Sequence, residues 1–306
     1  MKKKRPTLGA IYALCGALLF GINASTSKVI MATGVTGTQI VLFRSFATAL
    51  IAGLILAITN RSAFKVQKKE WPRLIGFGIV GVALMQWAYS MAVANLQVGI
   101  ALLIEYTAIV WVPIVAMILY REKVRPRIWL GVALVLGGLV VVSNLNLDNL
   151  NPVGVAFAFL ASATLTVYFI MGERTQATRD TMSTLFYSMS ISVVFWLVFS
   201  PWWQFDWSSY GGDVSLGGNL SEFELPVWVL LIWLGVMGSF VPMMLSYKAL
   251  THLSATGVGI ASTAETVFAF IFGLLWLGEL ITTNQLLGGI LVIAGIVVSQ
   301  TARKTS

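Results

Sequence analysis

Four charged residues lie inside long apolar stretches of the 306-residue chain: Lys28, Arg44, Glu105 and Glu265. A charge at the centre of a membrane helix costs roughly 2.5–3.5 kcal/mol, so such residues face protein or a cavity. Arg44 and Glu105 lie about seven residues from the same end of their stretches, a depth of about 10 Å at the helical rise. We therefore expect both to face the interior at one depth, where they can pair. The pair would be either a fixed link between helices or a gating and coupling device.

Glu265 differs because no basic residue lies at a matching depth in the other apolar stretches. Burial without a partner favours the neutral form of a carboxyl group, which suits a proton site or a cationic-amine site. Hydrogen bonds to Ser262 or Thr266 are the structural alternative. Lys28 lies near the end of its stretch, where its side chain can reach lipid headgroups instead of a ligand.

Uncharged polar residues in the same stretches are further candidates for binding a ligand. Gln86 and Tyr89 share a helical face, which should look inward because lipid cannot satisfy an amide. Interhelical hydrogen bonding, at about 0.6 kcal/mol per pair, is the alternative for each residue. The predicted substrate-binding residues are Asn23, Gln86, Tyr89, Glu105, Tyr168, Ser246 and Glu265. The predicted coupling or gating residues are Arg44, Glu105 and Glu265.

The composition indicates which elements position these residues. Hydrophobic residues make up 58% of the chain and charged residues 10%, whereas soluble domains carry about 25% charged residues. Because a helix needs about 20 apolar residues to cross a bilayer, we predict an all-α integral membrane protein with ten transmembrane helices. The predicted spans are 7–31, 37–58, 73–95, 98–120, 126–143, 152–172, 181–200, 226–250, 256–277 and 284–302.

The distribution of basic residues predicts the orientation of these helices. Of the 20 Lys and Arg residues, all but Lys28 and Arg44 fall at the chain ends or in alternate connections. The charged residues of the opposite connections are all acidic. By the positive-inside rule, both termini are cytoplasmic and the protein is a multi-pass protein of the cell inner (plasma) membrane. The aromatic residues of the longest connection, 201–225, predict an interfacial belt and not a lid over a ligand.

The sequence also repeats itself. A shift of 157 positions places Glu122 on Glu279, Gly131 on Gly288 and Gly138 on Gly295. This predicts two five-helix halves, 1–150 and 151–306. Because five is odd, the second half enters the membrane from the opposite side, and such inverted repeats place a substrate site near the membrane midplane. The glycines predict close packing of each half's last helix against a neighbouring helix or a second protomer. They are therefore compatible with a monomer and with a homodimer.

Several motifs resemble the EamA family of the drug/metabolite transporter superfamily. They are Phe43-Arg44-Ser45-Phe46, Glu265-Thr266-Val267-Phe268-Ala269, and the apolar runs that end at Arg121-Glu122 and Leu277-Gly278-Glu279. Thr266 stands where the family usually has proline, and Arg121 where it usually has glycine. The resemblance implies two EamA-like repeats, alternating access by secondary transport, a central cavity, and commonly the efflux of small metabolites. It does not imply one particular cargo.

These features together favour an exporter of small metabolites, first of all amino acids or related amines, with Glu105 or Glu265 available for coupling to protons. A transporter of another cargo, such as drug cations or nucleosides, and a non-transporting membrane scaffold are the alternatives. The single cysteine, Cys15, and the single histidine, His252, are too few for an internal disulfide or a metal site built on several such ligands. We predict no enzymatic activity, no cofactor and no nucleic-acid partner, since topology explains the basic residues.

Overall fold

The computed structural model describes residues 5–96, 98–121, 124–143, 151–200, 202–205, 210–278 and 282–301. These residues form an almost entirely helical structure with one short hairpin. The α-helices are α1 Pro6–Met31, α2 Gly37–Thr59, α3 Trp71–Gly76, α4 Met85–Asn95, α5 Val98–Glu105, α6 Ala108–Tyr120, α7 Pro126–Ser143, α8 Pro152–Gln176, α9 Thr181–Phe199, α10 Val227–Gly235, α11 Val241–His252, α12 Ala255–Ser262, α13 Ala264–Leu275 and α14 Thr283–Thr301. Short 3₁₀ turns cover Arg61–Phe64, Lys68–Glu70, Trp202–Gln204 and Gly218–Leu220.

Within the described residues, 8 helical segments are long and apolar enough to cross a membrane. Four of them are composite: they run over Lys68–Asn95, Ala101–Tyr120, Val227–His252 and Ala255–Leu275. Two shorter apolar helices, Pro126–Val141 and Leu286–Ser299, lie within α7 and α14. The helix ends lie close to the predicted ends, as expected when long apolar runs are bounded by charged and turn residues.

The composite segments correct one feature of the sequence prediction, which treated each of them as a single helix. A π-helical segment, Phe77–Leu84, joins α3 to α4, and a second one, Val236–Phe240, joins α10 to α11. The chain also leaves the helix at Tyr106–Thr107 and at Thr263. A shift of 157 positions places 77–84 on 234–241 and 106 on 263. Hydropathy averaged over a whole span does not register these interruptions, because each covers only a few residues of a long apolar segment.

The helices α7 and α14 approach each other closely at their glycines. A Cβ atom added at Gly131 would lie 2.8 Å from the carbonyl oxygen of Gly295, and one added at Gly138 would lie 2.6 Å from that of Gly288. Small residues allow such backbone contact and support helix association in membranes. The predicted close packing is therefore between these two helices of one chain.

The backbone at Arg121 has the left-handed conformation that glycine adopts most easily. Arg121 ends α6 with φ of 53°, and Gly278, 157 positions later, has φ of 70°. A left-handed conformation costs a residue with a Cβ atom roughly 1–2 kcal/mol, so glycine suits both positions. The neighbouring Glu122 and Glu279 lie outside the described residues, and their predicted placement at opposite membrane faces stays a prediction.

The hairpin of the long connection pairs β1 Asp213–Ser215 with β2 Glu224–Pro226 in antiparallel register. Between the strands, the side-chain amide of Asn219 donates to the carbonyl oxygens of Leu274 and Leu275 at 3.2 and 3.3 Å. The Trp276 indole donates to the Leu216 carbonyl oxygen at 2.8 Å. The hairpin thus satisfies the carbonyl groups left open where α13 ends.

We expect Gly138→Ala to lower the stability of the protein by about 1–3 kcal/mol, the usual cost of overpacking, because the added methyl group meets the backbone of α14. Gly137→Ala is the matched control, since nothing lies within 4 Å of a Cβ atom there. Thermal unfolding of the detergent-purified protein measures both. Equal melting temperatures for the two variants would contradict the close α7–α14 packing.

Candidate functional site

The interruptions of two membrane segments bring both intramembrane acids to the centre of the protein. Glu105 is the last residue of α5, and Glu265 lies in the first turn of α13. Non-helical backbone at membrane depth is tolerated where protein or a cavity surrounds it. Here a cavity of about 660 Å³, counted with its open mouth, lies beside both acids.

All of the residues predicted to bind substrate or to couple transport line this one cavity: Asn23, Arg44, Gln86, Tyr89, Glu105, Tyr168, Ser246 and Glu265. The rest of the lining is mainly apolar and aromatic, for example Phe20, Leu165 and Phe169. Two other polar residues in the spans lie elsewhere. The side-chain amide of Asn95 donates to the Met91 carbonyl oxygen, and the Tyr187 hydroxyl donates to that of Phe64. Polarity inside a span therefore marks both cavity residues and residues that close local hydrogen bonds.

Tyr106 also belongs to the site, although the sequence prediction missed it. Its hydroxyl donates to Glu265 Oε2 at 2.6 Å and lies 3.0 Å from the Ser262 carbonyl oxygen. In an unbroken helix Tyr106 would point about 100° away from Glu105. The interruption at Tyr106–Thr107 lets both side chains reach the cavity, and the hydropathy of the segment does not signal that break.

Arg44 has different partners from those expected. Its Nη2 donates to the Gly238 carbonyl oxygen at 2.9 Å, inside the π-helical segment. In the part of the chain that the structure describes, it forms no ion pair with Glu105, so the suggested Arg44–Glu105 pair is wrong. Arg44 lines the same two cavities as Glu265, and no ion pair joins these two residues in the described part of the chain. The comparison of depths did not predict this shared lining, because depth along a helix says nothing about the direction in which a side chain points.

Glu105 and Gln86 supply polar groups that the protein leaves unsatisfied. Glu105 is 8% exposed and Gln86 is 6% exposed. Among the described residues, neither atom of the buried Gln86 amide has a hydrogen-bond partner. The Glu105 carboxyl group, which receives no hydrogen bond from these residues, lines the same cavity. A buried polar group without a partner costs about 1–3 kcal/mol. A bound ligand or water would remove that cost, so this wall of the cavity is suited to binding a polar molecule.

Aromatic residues close one end of the cavity. Tyr168 donates to Ser246 Oγ at 3.0 Å, and its ring lies 6.0 Å from that of Phe77 and 5.7 Å from that of Tyr247. Phe77 and Tyr247 are fully buried. The Tyr247 hydroxyl and Ser188 Oγ lie 3.2 Å apart, which anchors this cluster to α9.

The opposite end is open. A second cavity of about 550 Å³ shares Asn23, Arg44, Tyr89 and Glu265 with the first, but not Glu105. It continues to Lys28, Met31 and Gly37, where α1 ends and α2 begins. Lys28 thus lies at the mouth of the route to the central cavity. Within the described residues, no group of three or more His, Cys, Asp or Glu side chains is placed to hold a metal ion.

Comparison with protein families identifies the kind of protein that holds this cavity. The model of the EamA-like transporter family matches residues 7–144 and again residues 152–301. The chain belongs to the EamA-like transporter family. A solved crystal structure superposes on this transporter with a TM-score of 0.77 over 96% of each chain, and its 15% identity shows a shared fold alone.

Curated relatives of this EamA-like transporter agree with that assignment. It is 24% identical to the pseudopaline exporter of Pseudomonas aeruginosa (strain UCBPP-PA14), over 97% of each chain. It is 23% identical to the threonine/homoserine exporter of Escherichia coli (strain K12), over 83% of this chain and 79% of that one. A Bacillus subtilis (strain 168) transporter is 21% identical over 92% of this chain and 88% of its own. The protein is thus a multi-pass membrane transporter and not an enzyme.

We expect Tyr106→Phe to lower the stability of the transporter by about 1–3 kcal/mol, because a hydrogen bond to a buried acid is lost. Tyr89→Phe is the matched control: Tyr89 lines the same cavity and, among the described residues, its hydroxyl donates to no protein group. Thermal unfolding in detergent compares the two variants. Equal stabilities would show that the Tyr106–Glu265 contact does not support the fold.

Proposed function

We propose that this protein exports amino acids or related amines by alternating access. The observation that carries the proposal is the chemistry of the central cavity, where Arg44, Glu105 and Glu265 lie together at the centre of a membrane transporter. Charges at such depth are costly and are kept mainly where they serve a substrate or ion pathway. A cavity with both signs of charge recognises the carboxylate and the ammonium group of one small molecule.

The proposed architecture is ten membrane spans in two inverted five-helix repeats, 1–150 and 151–306. The double match of the family model supports two repeats. The shift of 157 positions, which relates the two π-helical segments and the two left-handed residues, Arg121 and Gly278, supports it as well. The basic residues favour cytoplasmic termini and the cell inner membrane.

The shape of the cavity supports alternating access. It opens where α1 ends, and the aromatic residues Phe77, Tyr168 and Tyr247 close its other end. With cytoplasmic termini, the first helix runs outward, so the open end faces the outside. In the proposed cycle the aromatic cluster opens toward the cytoplasm while the outer route closes. Glu105 or Glu265 takes up a proton on the outward-open side and releases it inside.

Proteoliposomes test this function. We expect amino acids or amines to move against an inward proton gradient, and Glu105→Gln and Glu265→Gln each to reduce that flux about tenfold or more, a loss of about 1.4 kcal/mol. Glu222→Gln is the control, because Glu222 is exposed on the hairpin connection. Amino acids and amines that neither cross nor bind would refute the cargo class, and gradient-driven flux that is unchanged in both variants would refute the coupling.

A further inference from the structure

The charged groups of the cavity follow one another in a definite order. Arg44 and Glu265 line both the outer route and the central cavity, whereas Glu105 lines the central cavity alone. The outer route and the central cavity thus share one basic and one acidic side chain, and the central cavity adds a second acid. From the mouth inward, Arg44 and Glu265 therefore come first and Glu105 comes last.

The three charged side chains differ in how many hydrogen-bond partners the protein gives them. Arg44 has the Gly238 carbonyl group and the nearby Glu265, and Glu265 has the Tyr106 hydroxyl. Glu105 receives no hydrogen bond from the described residues, and the unpartnered Gln86 amide lines the same cavity. The acid without a hydrogen-bond partner thus lies at the deeper end of the site, where a second cationic group of the cargo would stabilise its ionised form.

Arg44 has further N–H donors with which it can bind an anionic group. Only its Nη2 donates to a protein acceptor among the described residues, and its buried Nε has no partner there. A guanidinium group has five N–H donors in a fixed fork that suits a carboxylate. A cargo carboxylate can therefore bind Arg44 beside Glu265, which leaves Glu265 available for an ammonium group on the adjacent carbon.

We propose that the cargo is a dibasic amino acid such as lysine or ornithine. This inference rests on the proposed function and narrows its substrate class. The carboxylate binds Arg44, the α-ammonium group binds Glu265, and the side-chain ammonium group binds Glu105 and the Gln86 carbonyl oxygen. The carboxylate and the α-ammonium group then lie at the two residues that both cavities share, and the side-chain ammonium group lies deeper, at Glu105. Its aliphatic chain lies against the apolar lining, which includes Phe20 and Leu165.

Three ligands that share one carbon chain test this assignment on the purified full-length protein. L-lysine has all three charges, L-norleucine lacks the terminal amine, and cadaverine lacks the carboxylate. We expect wild-type protein to bind lysine about 10- to 100-fold more tightly than norleucine, the ratio for one lost hydrogen bond to a charged group. Isothermal titration calorimetry measures the affinities, and counterflow in proteoliposomes measures transport.

Variants then assign each charge to its residue. Glu105→Gln should abolish the preference for lysine over norleucine and keep norleucine affinity, which also shows that the variant is folded. Arg44→Gln should weaken lysine binding and leave cadaverine binding as tight as in the wild type or tighter, because cadaverine has no carboxylate and a positive charge beside its ammonium group is removed. Glu222→Gln should match wild type. If Glu105→Gln does not fold, the wild-type ligand series decides alone.

Failure of this inference and failure of the proposed function give different results. Wild-type protein that binds and exports norleucine or other neutral amino acids as well as lysine would overturn the dibasic assignment, while the amino acid exporter would stand. A lysine preference that persists in Glu105→Gln would also overturn it. If neither amino acids nor amines bind or cross, both proposals fall.

Discussion

Arg44, Glu105 and Glu265 lie where a bilayer provides no bulk water, so each charge depends on the groups that the protein places around it. The π-helical segment presents the Gly238 carbonyl group to Arg44, and the break after α5 presents the Tyr106 hydroxyl to Glu265. Two of the irregular backbone segments lie at these contacts. Its distortions can be understood as the means by which polar groups reach charges that a regular helix would leave unsatisfied.

Such distortions need a rigid surrounding, because a broken membrane helix gives up backbone hydrogen bonds that lipid cannot replace. The close packing of α7 on α14 supplies one such support, with glycine backbones in direct contact. The hairpin supplies another, since Asn219 satisfies the last carbonyl groups of α13 and so holds the helix that carries Glu265. Regions far from the cavity thus contribute to the position of its charges.

The two halves of the chain repeat the same pattern of helices, but the acidic residues of the cavity do not repeat. A shift of 157 positions places Glu105 on Ser262 and Ala108 on Glu265, so each acid has an uncharged counterpart. The two interruptions nevertheless meet, since the Tyr106 hydroxyl contacts both the Ser262 carbonyl group and Glu265. Glu265 accepts a hydrogen bond at this contact, whereas Glu105 lies on the other side of it without one. The two acids therefore offer a ligand different environments, which a symmetric pair of acids would not.

The sequence by itself determined the helices and the candidate residues, because both follow from the cost of exposing polar groups to lipid. Long apolar runs identified the helical stretches, and the residues inside them that were predicted to form the site, Asn23, Gln86, Tyr89, Glu105 and Glu265 among others, all line the cavity. Only the tertiary structure decided the partners: Arg44 with the Gly238 carbonyl group in place of Glu105, and Tyr106 with Glu265. Those contacts depend on the rotation of each helix and on where it breaks. Contacts with neighbouring helices set both, and hydropathy along one helix does not record them.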